Sequence, residues 1–493
     1  MFVKKDKGAN RYFKFKDSNK MQTILLVFAV SLAVFCWSFS AGTVTIGLPL
    51  ISQYLDISTY MASWIIVVHL LILTSFLLIF GRLGDILGTK KIFLTGVFIF
   101  TMGSYLCGVS LELYQLLLSR ALQGIGSAML LSLAPAIISK NVNPDSQAKA
   151  FAAISAATTL SLAFGYGIGG YVITYFDWNW IFFINVPLGI LSLFAGYFFI
   201  PDDIKSNEKN YFKNEFDLPG AFLVLISLIS LILSIYSAKD NGLYSPGSIL
   251  GFLVSIGLFI ALFKWETRQK KPILDFTLLK NQALFFPIIT AFLVTFVLMG
   301  TIFLVPFFLD LVMGYDPSFA GMLILFPALL VLIAGPLSGY FTDKFGSRTP
   351  TIISSVLLLV SLLTFVFADE KVGFLLIIGA LAGRSISEGL FSPSNNKEVM
   401  KHGSFNQKGS VSSLLNTSKY MGIIMGVVVF GAVFEGTIVR QTANLAGVPL
   451  NGATHLTAPT PILLNAFQDT FLMGAFISFT VLILILFFYV REE

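Results

Sequence analysis

Seven ionisable side chains sit inside long apolar runs of this chain, and they are the residues best placed to do chemistry. Arg384 and Glu388 stand four apart, so on a helix they share one face. Arg120 lies in RALQGIGSA, with Gln123 three residues on. His69, Asp310, Lys419 and Glu435 complete the set. A charge in mid-bilayer costs at least ~2.5–3.5 kcal/mol, so it faces a cavity or a partner. The chemistry this implies is proton binding and transfer, because desolvation favours the neutral form of a carboxyl and lets it hold a proton near neutral pH.

Each residue also has a plainer reading. Arg384 and Glu388 can be a structural pair that only neutralises itself. Asp310 and Glu435 are read as snorkelling to the outer surface from the ends of their helices. His69 reads as a satisfied interior imidazole before it reads as a proton carrier, and Lys419 reads as interfacial. Arg120 favours function, since no acid lies near it in sequence. No P-loop, HExxH or metal-spaced Cys/His cluster occurs, and three histidines in all (His69, His402, His455) argue against a catalytic constellation. We therefore expect no metal, no cofactor and no enzyme. Cys36 and Cys107 fall in apolar runs and read as small buried hydrophobes.

The elements that must hold these groups follow from composition. Of 493 residues 56% are apolar and 12% charged, which places the chain in the membrane class. A bilayer core takes about 20 apolar residues in a helix. Fourteen runs qualify, at 23–47, 60–80, 91–110, 113–139, 149–174, 180–200, 217–237, 247–265, 283–312, 319–341, 350–368, 372–392, 410–438 and 468–489. They are too long for strands and do not alternate, so the class is an all-α polytopic membrane protein. The polar, basic start and the long first run argue against a cleaved signal peptide. The charge balance of +6 is not a nucleic-acid signal, because its position follows topology: 26 of the 32 Lys and Arg fall in the tails and the loops after even-numbered helices, against 3 in the loops after odd-numbered ones. Both termini are then cytoplasmic.

Between the second and third runs lies GRLGDILGTKK, read as a short charged hairpin whose glycines allow tight turning and close approach. Its Gly81, Asp85, Gly88, Lys90 and Lys91 carry opposite charges at fixed spacing. Gly81, Asp85 and Gly88 return as Gly339, Asp343 and Gly346, each 258 positions on, and Lys90 is answered by Arg348. A repeat at this scale implies a duplicated bundle, the architecture of secondary transporters. Helices 1–6 match helices 9–14, and helices 7–8 are an inserted hairpin. The division is a basic tail over 1–20, a six-helix bundle over 21–200, the inserted hairpin over 201–280 and a second six-helix bundle over 281–493. The region of about 440–467 reads as a surface loop. In the fifth run Gly165, Gly167 and Gly170 satisfy G-x-G-x-x-G, but no strand precedes them, so the dinucleotide reading fails. Gly165, Gly169 and Gly170 instead suit close helix packing in a membrane.

These motifs resemble a known family. Gly81–Lys91 is similar to the signature loop of the major facilitator superfamily, and Arg120–Ala128 resembles that superfamily's helix-4 motif, whose arginine the resemblance implicates in proton transfer. WNWIFFINVPLGI at 178–190, FDLPGAF at 216–222, KPILDFTLLKN at 271–281 and the segment 314–327 resemble the fourteen-helix drug:proton antiporter subfamily. The sequence departs from that pattern at five positions. Ser40 aligns with an aspartate of helix 1, Ser161 and Tyr166 replace a glycine and a proline of the helix-5 motif, His69 stands for a tyrosine, and Asp310 for a glutamine. The resemblance implies proton-coupled export of lipophilic, cationic drugs by alternating access, with Glu388 as the central carboxyl, Arg384 tuning it, Asp310 releasing protons outside, and Arg120 and His69 relaying. The alternative is a transporter of an anionic or amphiphilic metabolite or a lipid, since Arg120, Arg384 and Lys419 are three cations and the helix-1 acid is missing. A membrane-embedded enzyme or sensor would need a catalytic cluster or a soluble output domain, and the chain offers neither. The partners expected are a small-molecule substrate, protons and the lipid bilayer, with no nucleic acid, and the protein is expected as a monomer in the cell membrane.

Overall fold

The computed structural model describes residues 20–203, 217–242, 244–269, 276–368, 373–402, 408–446, 456 and 458–488. Among them are fourteen helices long and apolar enough to cross a membrane. They are α1 (Lys20–Tyr54), α2 (Thr59–Leu87), α3 (Thr89–Gly108), α4 (Leu113–Asn141), α5 (Pro144–Tyr175), α6 (Trp180–Phe199) and α7 (Leu218–Asn241). Then follow α8 (Pro246–Glu266), α9 (Gln282–Leu311), α10 (Pro317–Phe345), α11 (Arg348–Val366), α12 (Phe374–Lys401), α13 (Lys408–Ala446) and α14 (Thr460–Phe488). Helices α6 and α10 change register at Ile184 and Leu330. No strand occurs among the described residues. A bilayer permits this class because a helix satisfies its backbone polar groups internally.

The packing repeats. In the first half α1 lies on α5, α3 on α4, α2 on α4 and α3 on α6; in the second α9 lies on α13, α11 on α12, α10 on α12 and α11 on α14. Every pairing recurs eight helices later, as a duplicated six-helix bundle requires. The hairpin α7–α8 packs on itself and touches α2 and α13 from outside. Tyr60 of α2 donates its hydroxyl to the Ile232 carbonyl of α7 at 3.2 Å. Asp217 caps α7 by accepting from the Gly220 amide at 2.8 Å, and it also accepts from Trp265 Nε1 of α8 at 2.7 Å.

One end of the bundle carries the start of α1 and the α2–α3 and α10–α11 turns; we call it the basic end. The two halves meet tightly at the opposite end. A Cβ on Gly170 of α5 would lie 2.2 Å from the Pro317 carbonyl oxygen of α10, and one on Gly167 would lie 2.3 Å from Leu325. The Ser318 amide donates to Thr174 Oγ1 at 3.0 Å across the same seam. Toward the basic end α5 and α10 diverge: α5 packs against Pro317–Leu329 but hardly touches Val331–Phe345.

The charged hairpin is shorter than its sequence suggests. Helix α2 runs to Leu87, so Gly81 and Asp85 lie in its last turns, and the turn itself is Gly88 at φ 104°. Gly339 and Asp343 are likewise helical in α10, and Gly346 turns the chain at φ 75°. Only Gly88 and Gly346 use a backbone region that other residues rarely adopt. Close approach is not the role of the other two. A Cβ on Gly339 would meet nothing within 4 Å, and one on Gly81 only Ser132 at 3.7 Å. Other ends also moved. Helix α12 runs on to Lys401, α13 reaches Ala446 and α14 starts at Thr460, so the loop read at about 440–467 is mostly helix among its described residues. A loop rich in small residues still forms helix where neighbouring helices bury one face of it.

Candidate functional site

In the first half a buried polar network joins α1, α2, α3 and α4. Arg120 is 3% exposed. Its Nε donates to the Ile65 carbonyl of α2 at 2.8 Å, and a terminal nitrogen donates to Gln123 Oε1, one turn along α4. Gln123 Nε2 in turn donates to Ser104 Oγ of α3 at 2.8 Å and reaches Ser40 Oγ of α1 at 3.4 Å. His69 is 4% exposed, and its Nε2 lies 3.2 Å from Ser127 Oγ. Its Nδ1 has no hydrogen-bond partner among the described residues. Ser127 also donates to the Gln123 carbonyl at 2.9 Å, which ties His69 to the arginine's helix. Arg120 has no carboxylate partner among the described residues, and Ser40 of α1 meets Gln123 in its place. A buried guanidinium satisfied only by neutral oxygens keeps its full charge available for a ligand or for a proton entering the network.

The second half holds the counterpart on α12. Arg384 is buried, and its Nη2 and Nε donate to the Leu298 carbonyl of α9 at 2.9 and 3.3 Å. Its Nη1 meets Glu388 Oε2 at 3.2 Å. The Glu388 side chain stays 37% exposed, so the pair is not sealed. Tyr166 of α5 lies within electrostatic reach of both Arg384 and Glu388. Lys419 of α13 donates to Asn396 Oδ1 of α12 at 2.6 Å.

At the opposite end, Gln53 Nε2 of α1 donates to Asp310 Oδ2 of α9 at 2.9 Å, linking the two halves. Asp310 is therefore engaged in the seam and does not simply reach for solvent. Glu435 of α13 is 1% exposed, so its snorkelling reading gives way: the helix runs on to Ala446 and the side chain is buried within the bundle. The sequence places both residues near the ends of their apolar runs but cannot show that Asp310 meets Gln53 or that α13 continues past Glu435. Among the described residues Asp310 bonds Gln53, Glu388 bonds Arg384, and Arg120 bonds Ile65 and Gln123, so these are separate contacts.

The turn residues act as ties between elements. Asp203, just past α6, accepts from Thr89 Oγ1 at 2.7 Å and from the Lys90 amide at 2.9 Å, an anion at the N-terminus of α3. Lys90 pairs with Asp202 at 2.8 Å, while Lys91 is exposed. In the second half Asp343 pairs with Lys397 of α12 at 2.6 Å, and Arg348 donates to the Leu486 carbonyl of α14 at 2.7 Å. Ser347 donates to Glu398, whose other oxygen is 3.0 Å from His402 Nε2. The Asp85 side chain and His455 lie outside the described residues. Sequence reading missed Asp202, Asp203, Asn396 and Glu398. The polar run SPSNN at 392–396, inside an otherwise spanning helix, was the signal for Asn396.

The glycines of α5 face two partners. A Cβ on Gly165 would lie 2.6 Å from the Phe39 carbonyl oxygen and one on Gly169 2.9 Å from Thr43, both on α1, while Gly170 faces α10. Gly165, Gly167 and Gly170 lie within one continuous helix, with no strand before them, so the dinucleotide pattern has no structural basis. No cluster of three or more metal-ligating side chains occurs among the described residues. Cys36 and Cys107 are free and buried.

Comparison with known proteins agrees with this architecture. The chain is 27% identical over 419 residues to the riboflavin transporter RibZ of Clostridioides difficile, covering 85% of this chain and 90% of that protein. It is 26% identical over 418 residues to the multidrug resistance protein Stp of Mycobacterium tuberculosis (84% of this chain, 76% of that one). It is 27% identical over 431 residues to the multidrug transporter protein MdtP of Bacillus subtilis (85% and 77%). Among solved structures, a bacterial homologue of the human lysosomal transporter Spinster superposes with a TM-score of 0.64 at 16% identity, over 97% of this chain and all of that one. The nucleoside transporter NupG superposes with a TM-score of 0.61 at 15% identity, over 93% and 98%. The sequence profile of the Major Facilitator Superfamily matches residues 30–427. With a fourteen-helix duplicated bundle and that match over most of its length, the chain belongs to the major facilitator superfamily.

Proposed function

We propose that the protein is a proton-coupled exporter of lipophilic, cationic compounds in the cell membrane, working by alternating access. The observation that carries this reading is Glu388. It is a carboxyl on a spanning helix, 37% exposed, within electrostatic reach of Tyr166 of the opposite half and held by one ion-pair contact of 3.2 Å. Its partner Arg384 is satisfied separately by the Leu298 carbonyl, so Glu388 can exchange a proton for a substrate cation without stranding the arginine. Proton and cation compete for one site, and the two halves rock to present it to each side in turn. By the Lys/Arg asymmetry the basic end is cytoplasmic, and the seam is closed outside. Asp310, joined to Gln53 in that seam, releases the proton outside, while Arg120, Gln123 and His69 form the relay of the first half. The multidrug names of Stp and MdtP support the substrate class, and the protein works as a monomer.

The test is drug-driven proton flux in proteoliposomes. Glu388→Gln is expected to abolish flux while drug binding persists, and wild-type flux from that variant would remove Glu388 from the mechanism.

A second reading is transport of an anionic, amphiphilic compound. Arg120 and Lys419 favour it, since each bonds only neutral groups among the described residues. Uptake assays comparing organic anions with cations separate the two readings.

A further inference from the structure

Glu388, Ser392 and Asn396 fall at i, i+4 and i+8 of α12 and line one face. All three are partly exposed, while Leu390, Phe391, Ser394 and Asn395 beside them are buried. A polar, accessible stripe inside a spanning helix faces a water-filled space, because a lipid-facing one would leave its groups unsatisfied. Arg384, which pairs with Glu388, donates to the Leu298 carbonyl of α9, so that space borders α9 and α12. Eight residues of helix make the stripe about 12 Å long. It descends toward the basic end, where α5 and α10 diverge.

Lys419 stands at its lower end. Its Nζ is held at 2.6 Å by Asn396 Oδ1, a neutral acceptor that orients the ammonium without neutralising it. Thr295 Oγ1 of α9 donates to the Lys419 carbonyl at 3.2 Å, and Ser418 Oγ donates to the Ile288 carbonyl at 3.1 Å, so the backbone that presents the side chain is fixed on α9. An ammonium uses three donors, and Asn396 takes one. Glu388, about 12 Å up the stripe, is already paired with Arg384.

We propose that Lys419, positioned by Asn396, is a headgroup site for the carboxylate of an anionic amphiphile. The proposal rests on the second reading above, transport of an anionic amphiphile. An ammonium with two free donors in a partly dehydrated vestibule binds a carboxylate far better than an ester of the same shape.

The experiment uses the purified full-length protein in detergent and two fluorescent probes, dansyl-labelled undecanoate and its methyl ester. Wild type is expected to bind the acid about tenfold more tightly than the ester. Lys419→Arg should keep most of that preference. Lys419→Gln should lose it with ester binding unchanged, which shows that the variant is folded. If wild type binds acid and ester equally, the anionic reading itself falls. If wild type prefers the acid and Lys419→Gln does so too, only the assignment of Lys419 falls. Displacement of the acid probe by short-chain phosphatidylglycerol as strongly as by unlabelled undecanoate would also overturn it, since the site would then take phospholipid.

Discussion

Arg120 and Glu388 pose the same problem with opposite signs: a charge in a spanning segment must be met by something. Arg120 is met by two neutral oxygens, the Ile65 carbonyl and Gln123 Oε1, and its planar fork spans both at once. Lysine cannot reproduce that fork. Arg120→Lys is therefore expected to lower transport at least about tenfold, the effect of losing roughly 1.4 kcal/mol of coupling. Its melting temperature should change little, because the charge stays partnered. Transport rate and thermal melt measured on the same preparation check this, and full activity of the lysine variant would show that charge alone suffices. Asp310 and Asn396 belong to the same scale. Each ties two helices by one short bond, Asp310 to Gln53 across the halves and Asn396 to Lys419 within one.

At the scale of the element, the turns matter more than the loop they once resembled. Gly88 sits at φ 104°, and a Cβ there would lie 2.7 Å from Asp203 Oδ2, the carboxylate that caps α3. Gly88→Ala is expected to cost roughly 1–3 kcal/mol from backbone strain and to disturb the cap. Gly81→Ala, whose nearest neighbour is Ser132 at 3.7 Å, should be close to neutral. Thermal melts of the two purified variants decide it: a fall of several degrees for the first and about none for the second. The fixed spacing of these glycines in sequence thus serves two different purposes, one conformational and one not.

For the whole molecule the decisive feature is the seam. The halves are locked at the end that holds Thr174, Ser318, Gln53 and Asp310, and they part toward the basic end. A Thr174→Cys/Ser318→Cys pair should cross-link readily, since these residues already share a 3.0 Å hydrogen bond, and the native Cys36 and Cys107 are buried away from reagent. The cross-linked protein is expected to lose transport and to regain it on reduction. Undiminished transport with the bridge intact would mean that this seam does not open in the cycle. Topology labelling belongs here too: cysteines at Asp85 and Asp343 should label from one side of the membrane, the cytoplasmic side, because both turns close equivalent helix pairs of a duplicated bundle.

The sequence by itself determined the class, the number of helices and their duplication. Hydrophobic length must match the bilayer, and the spacing Gly81–Asp85–Gly88 against Gly339–Asp343–Gly346 is visible without any contact being known. It also named the pair Arg384–Glu388, because four residues of helix bring two side chains together whatever surrounds them. Partners from distant helices were not legible. That Arg120 leans on Ile65, that Gln53 meets Asp310, that Glu435 is covered and that Asn396 receives Lys419 depend on how separate helices cross. Crossing is set by the summed packing of many small contacts over the whole bundle, and no local spacing encodes it.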